Sequence, residues 1–250
     1  MSTTRPIEAA EITHLSVRLG GGSITLDRNT VPGVIGQLTG KRADEFTVTT
    51  EGTTLEITAP RGRSTDVHLQ LSIPEGIDLT CMVGSADVTA DVGLGTVRVR
   101  AGSGDIVLDQ IGNVDANTGS GDIRIEEVLG STARVNTGSG EIAIAQCDAA
   151  LRVRSGSGDI AIGQLRAILQ GNSGSGDVRI DATSGNVNAR TGSGDVTIGV
   201  ADGLATWLDL VTSGGDVRVG LDQSEDPGPD TPYIALQVRT GSGDIVVFRA

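Results

Sequence analysis

Aromatic side chains make up only 2% of this chain, and it has two cysteines and two histidines. Two cysteines, Cys81 and Cys147, cannot build a disulfide scaffold, and no Cys/His spacing suits a bound metal. Basic residues are outnumbered 19 to 32, for a formal net charge of −13. No basic stripe with interleaved aromatics offsets that charge, so a phosphate backbone is repelled and nucleic acid is not an expected partner. No stretch approaches eighteen apolar residues, so membrane insertion is not expected either. Met1 to Val17 contains no apolar export-signal core, which predicts a cytoplasmic location.

Glycine is plentiful, at 37 of 250 residues, but it has no three-residue period, which excludes collagen. Aliphatic residues at fixed positions argue against disorder. What the chain has instead is an internal repeat ending in an acid. The anchors are Asp87, Asp105, Asp122, Glu141, Asp159, Asp177, Asp195, Asp216 and Asp244, spaced by 18, 17, 19, 18, 18, 18, 21 and 28 residues. Seven of them complete Gly-Ser-Gly-Asp/Glu, while Gly84-Ser85-Ala86-Asp87 and Ser213-Gly214-Gly215-Asp216 are degenerate.

Aliphatic residues keep the same frame. One position past the anchor stand Val88, Ile106, Ile123, Ile142, Ile160, Val178, Val196, Val217 and Ile245. Three past it, most coils again carry an aliphatic, and pairs such as Leu151/Val153 lie eight and six before it. Alternation of period two marks strands with one inward face, and its parity changes across the glycine corner. The expected fold is therefore all-β: a parallel β-helix, or β-solenoid, with about 18 residues per coil. At the corner, glycine is expected to supply backbone angles other residues resist.

Residues 1–80 differ and predict an N-terminal β cap continuous with the solenoid of residues 81–250. Phe46 to Thr50 and Thr54 to Thr58 suggest a hairpin around Glu51-Gly52, and Pro74-Glu75-Gly76 a turn. The acid- and proline-rich segment 221–232 predicts a mobile loop.

With the repeat laid out, the chain resembles the bacterial adhesin-like β-strand-repeat family of unknown function, related to the head domain of auto-transporter adhesins. The resemblance lies in T-G-S-G-D-I-x-I at Thr118 to Ile125, Thr191 to Ile198 and Thr240 to Val247, and in the lead-ins Ser23 to Leu26 and Leu69 to Gly76. It implies a parallel β-helix with a surface or scaffold role and brings no catalytic residues.

Several features invite a functional reading, and each has a plainer structural one. The stacked corner acids repel one another, which a calcium column would relieve, yet the spacing differs from that of calcium-binding nonapeptide solenoids. The preferred reading has each carboxylate accepting backbone N–H groups of its own corner. The outward column Arg100, Asn117, Asn136, Arg154, Asn172, Arg190 and Arg239 suggests partial neutralisation of the acids and an asparagine ladder, or a binding stripe for an acidic or sugar ligand. Weak exposed pairing is the simpler account. Cys81 and Cys147 occupy core slots of different columns, where buried, unpaired thiols are expected. His14 and His68 fall in strands, with no triad expected, and Trp207 suits either core cover or an exposed contact.

No catalytic, cofactor-binding or metal-binding residue is assigned, and no enzyme is expected. The functional expectation is a structural scaffold or interaction protein, associating with itself or a protein partner through open solenoid ends. The end at 241–250, which lacks a cap, is the expected docking end. The alternative is an adhesin-like binding module for a repetitive ligand such as a polysaccharide.

Overall fold

The computed structural model describes residues 2–60, 66–222 and 233–250. Among the described residues all regular structure is β apart from one 3-10 turn, Ala43–Glu45, and no described helix is long and apolar enough to cross a membrane. The chain forms two compact units, Met1–Leu129 and Gly130–Ala250.

The first unit contains β1 (Thr3–Ala9), β2 (His14–Leu19), β3 (Gly21–Arg28), β4 (Val34–Gly40), β5 (Thr47–Glu51) and β6 (Thr54–Thr58). It continues with β7 (Asp66–Ile73), β8 (Asp78–Val83), β9 (Asp87–Asp91), β10 (Leu94–Ala101), β11 (Ile106–Thr118) and β12 (Ile123–Val128). Two strands joined by a corner make one rung. On one side β6, β2, β8, β10 and the second half of β11 stack in parallel. On the other side β7, β3, β9, the first half of β11 and β12 do the same. Strands from the first eighty residues are therefore already parallel rungs, and the β2–β3 rung, first in sequence, is second in space.

Antiparallel strands close the outer end of this stack. β4 runs antiparallel on β7, β1 on β4, and β5 on β6 as the expected hairpin, with Gly52 at φ 58°. Pro6 in β1 has no N–H to offer another strand, and β5 is short and polar, so both edges resist further pairing. The Arg5 guanidinium donates to the Phe46 carbonyl and ties β1 to the hairpin.

The second unit contains β13 (Thr132–Thr137), β14 (Ile142–Cys147), β15 (Ala150–Ser155), β16 (Ile160–Leu165), β17 (Leu169–Ser173) and β18 (Val178–Thr183). Then come β19 (Val187–Thr191), β20 (Val196–Val200), β21 (Ala205–Thr212), β22 (Val217–Gly220), β23 (Tyr233–Thr240) and β24 (Ile245–Arg249). Here too the order in space departs from the order in sequence. β19 pairs with β23 and β23 with β21; β20 pairs with β24 and β24 with β22. The chain leaves the β19–β20 rung, skips one level to lay down β21–β22, and returns to fill the gap with β23–β24. The anchor spacings of 21 and 28 residues are the trace of this detour. Of the loop expected at 221–232, residues 223–232 lie outside the described residues.

The interior consists of aliphatic columns in register, with a shift where β18 meets β20, between Ile180 and Thr183. Ile142, Ile160, Val178, Val196 and Ile245 stack with at most 1% of their surface exposed. Each such side chain contributes roughly 1.5–3 kcal/mol on burial, against the entropy of ordering its coil. Stability thus grows rung by rung.

The corner glycines work differently from expectation. None of Gly156, Gly158, Gly174, Gly176, Gly192 and Gly194 has a left-handed φ. They are needed because the neighbouring coil lies directly beneath: a Cβ on Gly176 would stand 2.1 Å from the Gly158 carbonyl oxygen. Coil-to-coil approach, and not torsion, excludes a side chain there.

Candidate functional site

Six corner acids, Asp87, Asp105, Asp159, Asp177, Asp195 and Asp244, each hand a carboxylate oxygen to the backbone of the adjoining coil. In the first unit the Asp105 N–H donates to Asp87 Oδ1 at 3.0 Å and the Asp122 N–H to Asp105 Oδ1 at 2.9 Å. In the second unit Asp177, Asp195, Asp244 and Asp216 donate in turn to Asp159, Asp177, Asp195 and Asp244, at 2.7–2.8 Å. The carboxylates do accept backbone N–H groups, but from the adjoining rung and not from their own corner. Charge-assisted bonds of this kind offset the repulsion within the row. Further relief comes from two positions past the anchor: Arg124 pairs with Asp122 at 3.2 Å, and Arg218 with Asp216 at 3.0 Å and Asp244 at 3.6 Å. From the arginine–asparagine column, Arg239 pairs with Asp209 instead. In register Asn172 lies between Arg154 and Arg190, so that stretch alternates and is no asparagine ladder.

A second element of the corner escaped the sequence reading. Four residues before the anchor a buried hydroxyl clamps the turn. Thr191 Oγ1 accepts the Gly194 N–H at 3.1 Å and donates to the Gly176 carbonyl, one coil away, at 3.1 Å. Thr240 and Thr212 repeat both bonds. Ser155, in the same slot, has no partner for its hydroxyl. The recurring Thr or Ser before Gly-Ser-Gly was the available signal, but threonine in a strand also reads as ordinary β propensity.

Ser23 Oγ and His68 Nδ1 lie 2.9 Å apart on neighbouring strands. Ser23 is flanked by His68 on one side and Asp87 on the other. The acid thus stands beside the serine, not behind the imidazole it would have to orient, and the sheet face is open to water. His14 sits on the other side of the coil, between Thr54 and Asp78. A depression of about 240 Å³ lies over Gly76, Gly93 and Gly112. Its carboxylate, Glu75, is held by Arg28 at 2.9 Å.

Both cysteines are buried and unpaired. Cys81 stacks between Val17 and Val99, and burial pushes its thiol up to about 12. Cys147 stacks on Leu165 and its thiol donates to the Ala149 carbonyl at 3.3 Å; burial raises this thiol too.

The least satisfied surface is the β21–β22 rung. Among the described residues no strand covers its far side. Val217 and Val219 are each 44% exposed, whereas Ile245 and Val247, beneath them, are fully buried. The C-terminal strand β24 is therefore not the open end that was expected; it is sandwiched between β20 and β22. Trp207 faces outward on this rung, half exposed, with Val211 on the same face.

The Toastrack DUF4097 model matches residues 12–247. The chain belongs to that family. The match bears out the adhesin-like resemblance and the solenoid fold read from the repeat. No curated protein matches the Toastrack chain significantly. Among solved structures, a "putative lipid binding protein" from Parabacteroides distasonis aligns with a TM-score of 0.61 at 15% identity, over 98% of this chain and 96% of its own. A "putative adhesin" from Parabacteroides merdae gives 0.53 at 12%, covering 98% and 95%. Another from Bacteroides fragilis gives 0.52 at 16%, covering 99% and 97%. At such identities the likeness is one of fold.

Proposed function

We propose that this Toastrack chain is a non-enzymatic scaffold protein that docks a second copy of itself through the β21–β22 rung. The carrying observation is the exposure of Val217 and Val219 at positions that are sealed in neighbouring rungs. Unpaired strand edges with exposed core residues favour addition of further strands. An exposed strand edge can pair with the same edge of a second copy about a twofold axis, and such pairing of like ends closes as a dimer. Among the described residues the register neighbours of His68 are Ser23 and Thr39, neither an acid, which supports a role without catalysis.

Sedimentation velocity over a wide concentration range tests this. The expected result is a monomer–dimer equilibrium that Val217→Lys with Val219→Lys shifts at least tenfold toward monomer. A monomer at every concentration removes the reading.

A second reading, an adhesin-like module for a polysaccharide, is favoured by the outward aromatics of the last two rungs. Relatives named "putative adhesin" agree with it.

A further inference from the structure

We infer that Trp207 and Tyr233 form a platform for the pyranose rings of a neutral polysaccharide, an inference that rests on the binding-module reading. Aromatics are scarce here: one Trp, one Tyr and two Phe. The single Trp and single Tyr nevertheless lie on adjacent strands and are 50% and 62% exposed. Register pairs Ala205 with Tyr233 and Trp207 with Ala235. Side chains alternate along a strand, so these four residues share one face, with the aromatics on a diagonal. A strand spacing of about 4.8 Å and a two-residue rise of about 6.6 Å put their backbones about 8 Å apart. Two alanines, Ala205 and Ala235, occupy the other diagonal.

Packing does not require these rings. The inward positions of β23 are Ile234, Leu236 and Val238, all buried, and the rung next to Ala235 carries Asn186, whose Oδ1 accepts the Ala235 N–H at 2.8 Å. The aromatics are additions to the repeat.

Polar groups continue the same face. Asp209 stands opposite Gln237; Asp209 pairs with Arg239 at 3.1 Å, and Gln237 accepts from Asn188 at 3.1 Å. An aromatic face carries negative charge density and attracts the polarised C–H groups on the flat side of a pyranose ring. Carboxylate, amide and guanidinium groups at the rim suit its hydroxyls. The Asp209–Arg239 pair carries no net charge and the chain as a whole is at −13, which disfavours uronate or sulfated chains.

Because Trp207 is the only tryptophan, intrinsic emission reports on the platform directly. The intact protein is titrated with cellohexaose, chitohexaose, laminarihexaose and maltohexaose, and screened on an array of neutral glycans. At least one hexasaccharide is expected to shift the emission saturably, and Tyr233→Ala, which keeps the reporter, to weaken that affinity at least tenfold. Array binding that survives both Trp207→Ala and Tyr233→Ala overturns the platform but spares the module reading. No emission change and no array binding overturn both.

Discussion

Thr191 and Ser155 occupy the same slot in different coils, both 7% exposed, yet only one of them bonds. Replacing Thr191 with Val keeps the branched shape and removes the hydroxyl. The Gly194 N–H and the Gly176 carbonyl are then left without it in a buried corner. Stranding a buried polar group costs about 1–3 kcal/mol, so roughly 3 kcal/mol in all is a reasonable central value. For a protein of this length that lowers Tm by about 6–12 °C. Ser155→Ala, in contrast, deletes a buried hydroxyl that satisfies nothing. Stability is expected to hold or rise, by up to about 1 kcal/mol. Differential scanning calorimetry of both variants beside the unaltered chain decides the matter. An equal fall in Tm would refute the reasoning, because the slot would then act through packing alone and the clamp would be incidental.

Other perturbations separate neighbouring effects. Gly176→Ala pushes a methyl into the Gly158 carbonyl and should cost about 3 kcal/mol or more, while Gly214→Ala, whose nearest neighbour would be 3.6 Å away, should be near neutral in urea melts. Asp177→Asn keeps the oxygen that accepts the Asp195 N–H and removes a like charge, so it should match the parent within about 0.5 kcal/mol; Asp177→Ala should lose about 1–2 kcal/mol. Equal losses from both would point to a need for the charge itself. Cys81 should resist alkylation at pH 8 until the chain is unfolded. Its thiol rises in the fold from 9.0 to about 12, so the unfolded chain ionises first. That contribution is intact below pH 9 and declines above it, by no more than about 1.4 kcal/mol per pH unit, as melts across pH 8–11 would show.

Periodicity made the core columns and the 46–58 hairpin legible, because stacking forces Ile142, Ile160 and Val178 into one frame. The corner was read only in part. Gly-Ser-Gly marked the bend, but the reason for glycine lies in the neighbouring coil, which no local pattern contains. The clamp at Thr191 was hidden for the same reason. The Ser23–His68 and Trp207–Tyr233 neighbours arise because the chain visits levels out of order at both ends. Adjacent rungs there are far apart in sequence, as with Asp195 and Asp244, 49 residues apart. The irregular spacings near 216 and 244 hinted at insertion; that a whole level was skipped and later filled required the pairing of β23 with two partners.

That skipped level has a consequence for biosynthesis. When β21 and β22 leave the ribosome, the site they belong beside does not yet exist, so they must wait. Only with β23 and β24 can a keystone slide between strands already made. A nascent chain halted before Tyr233 would leave that slot unfilled, and the seating of β23 and β24 supplies the missing partners to both of its walls.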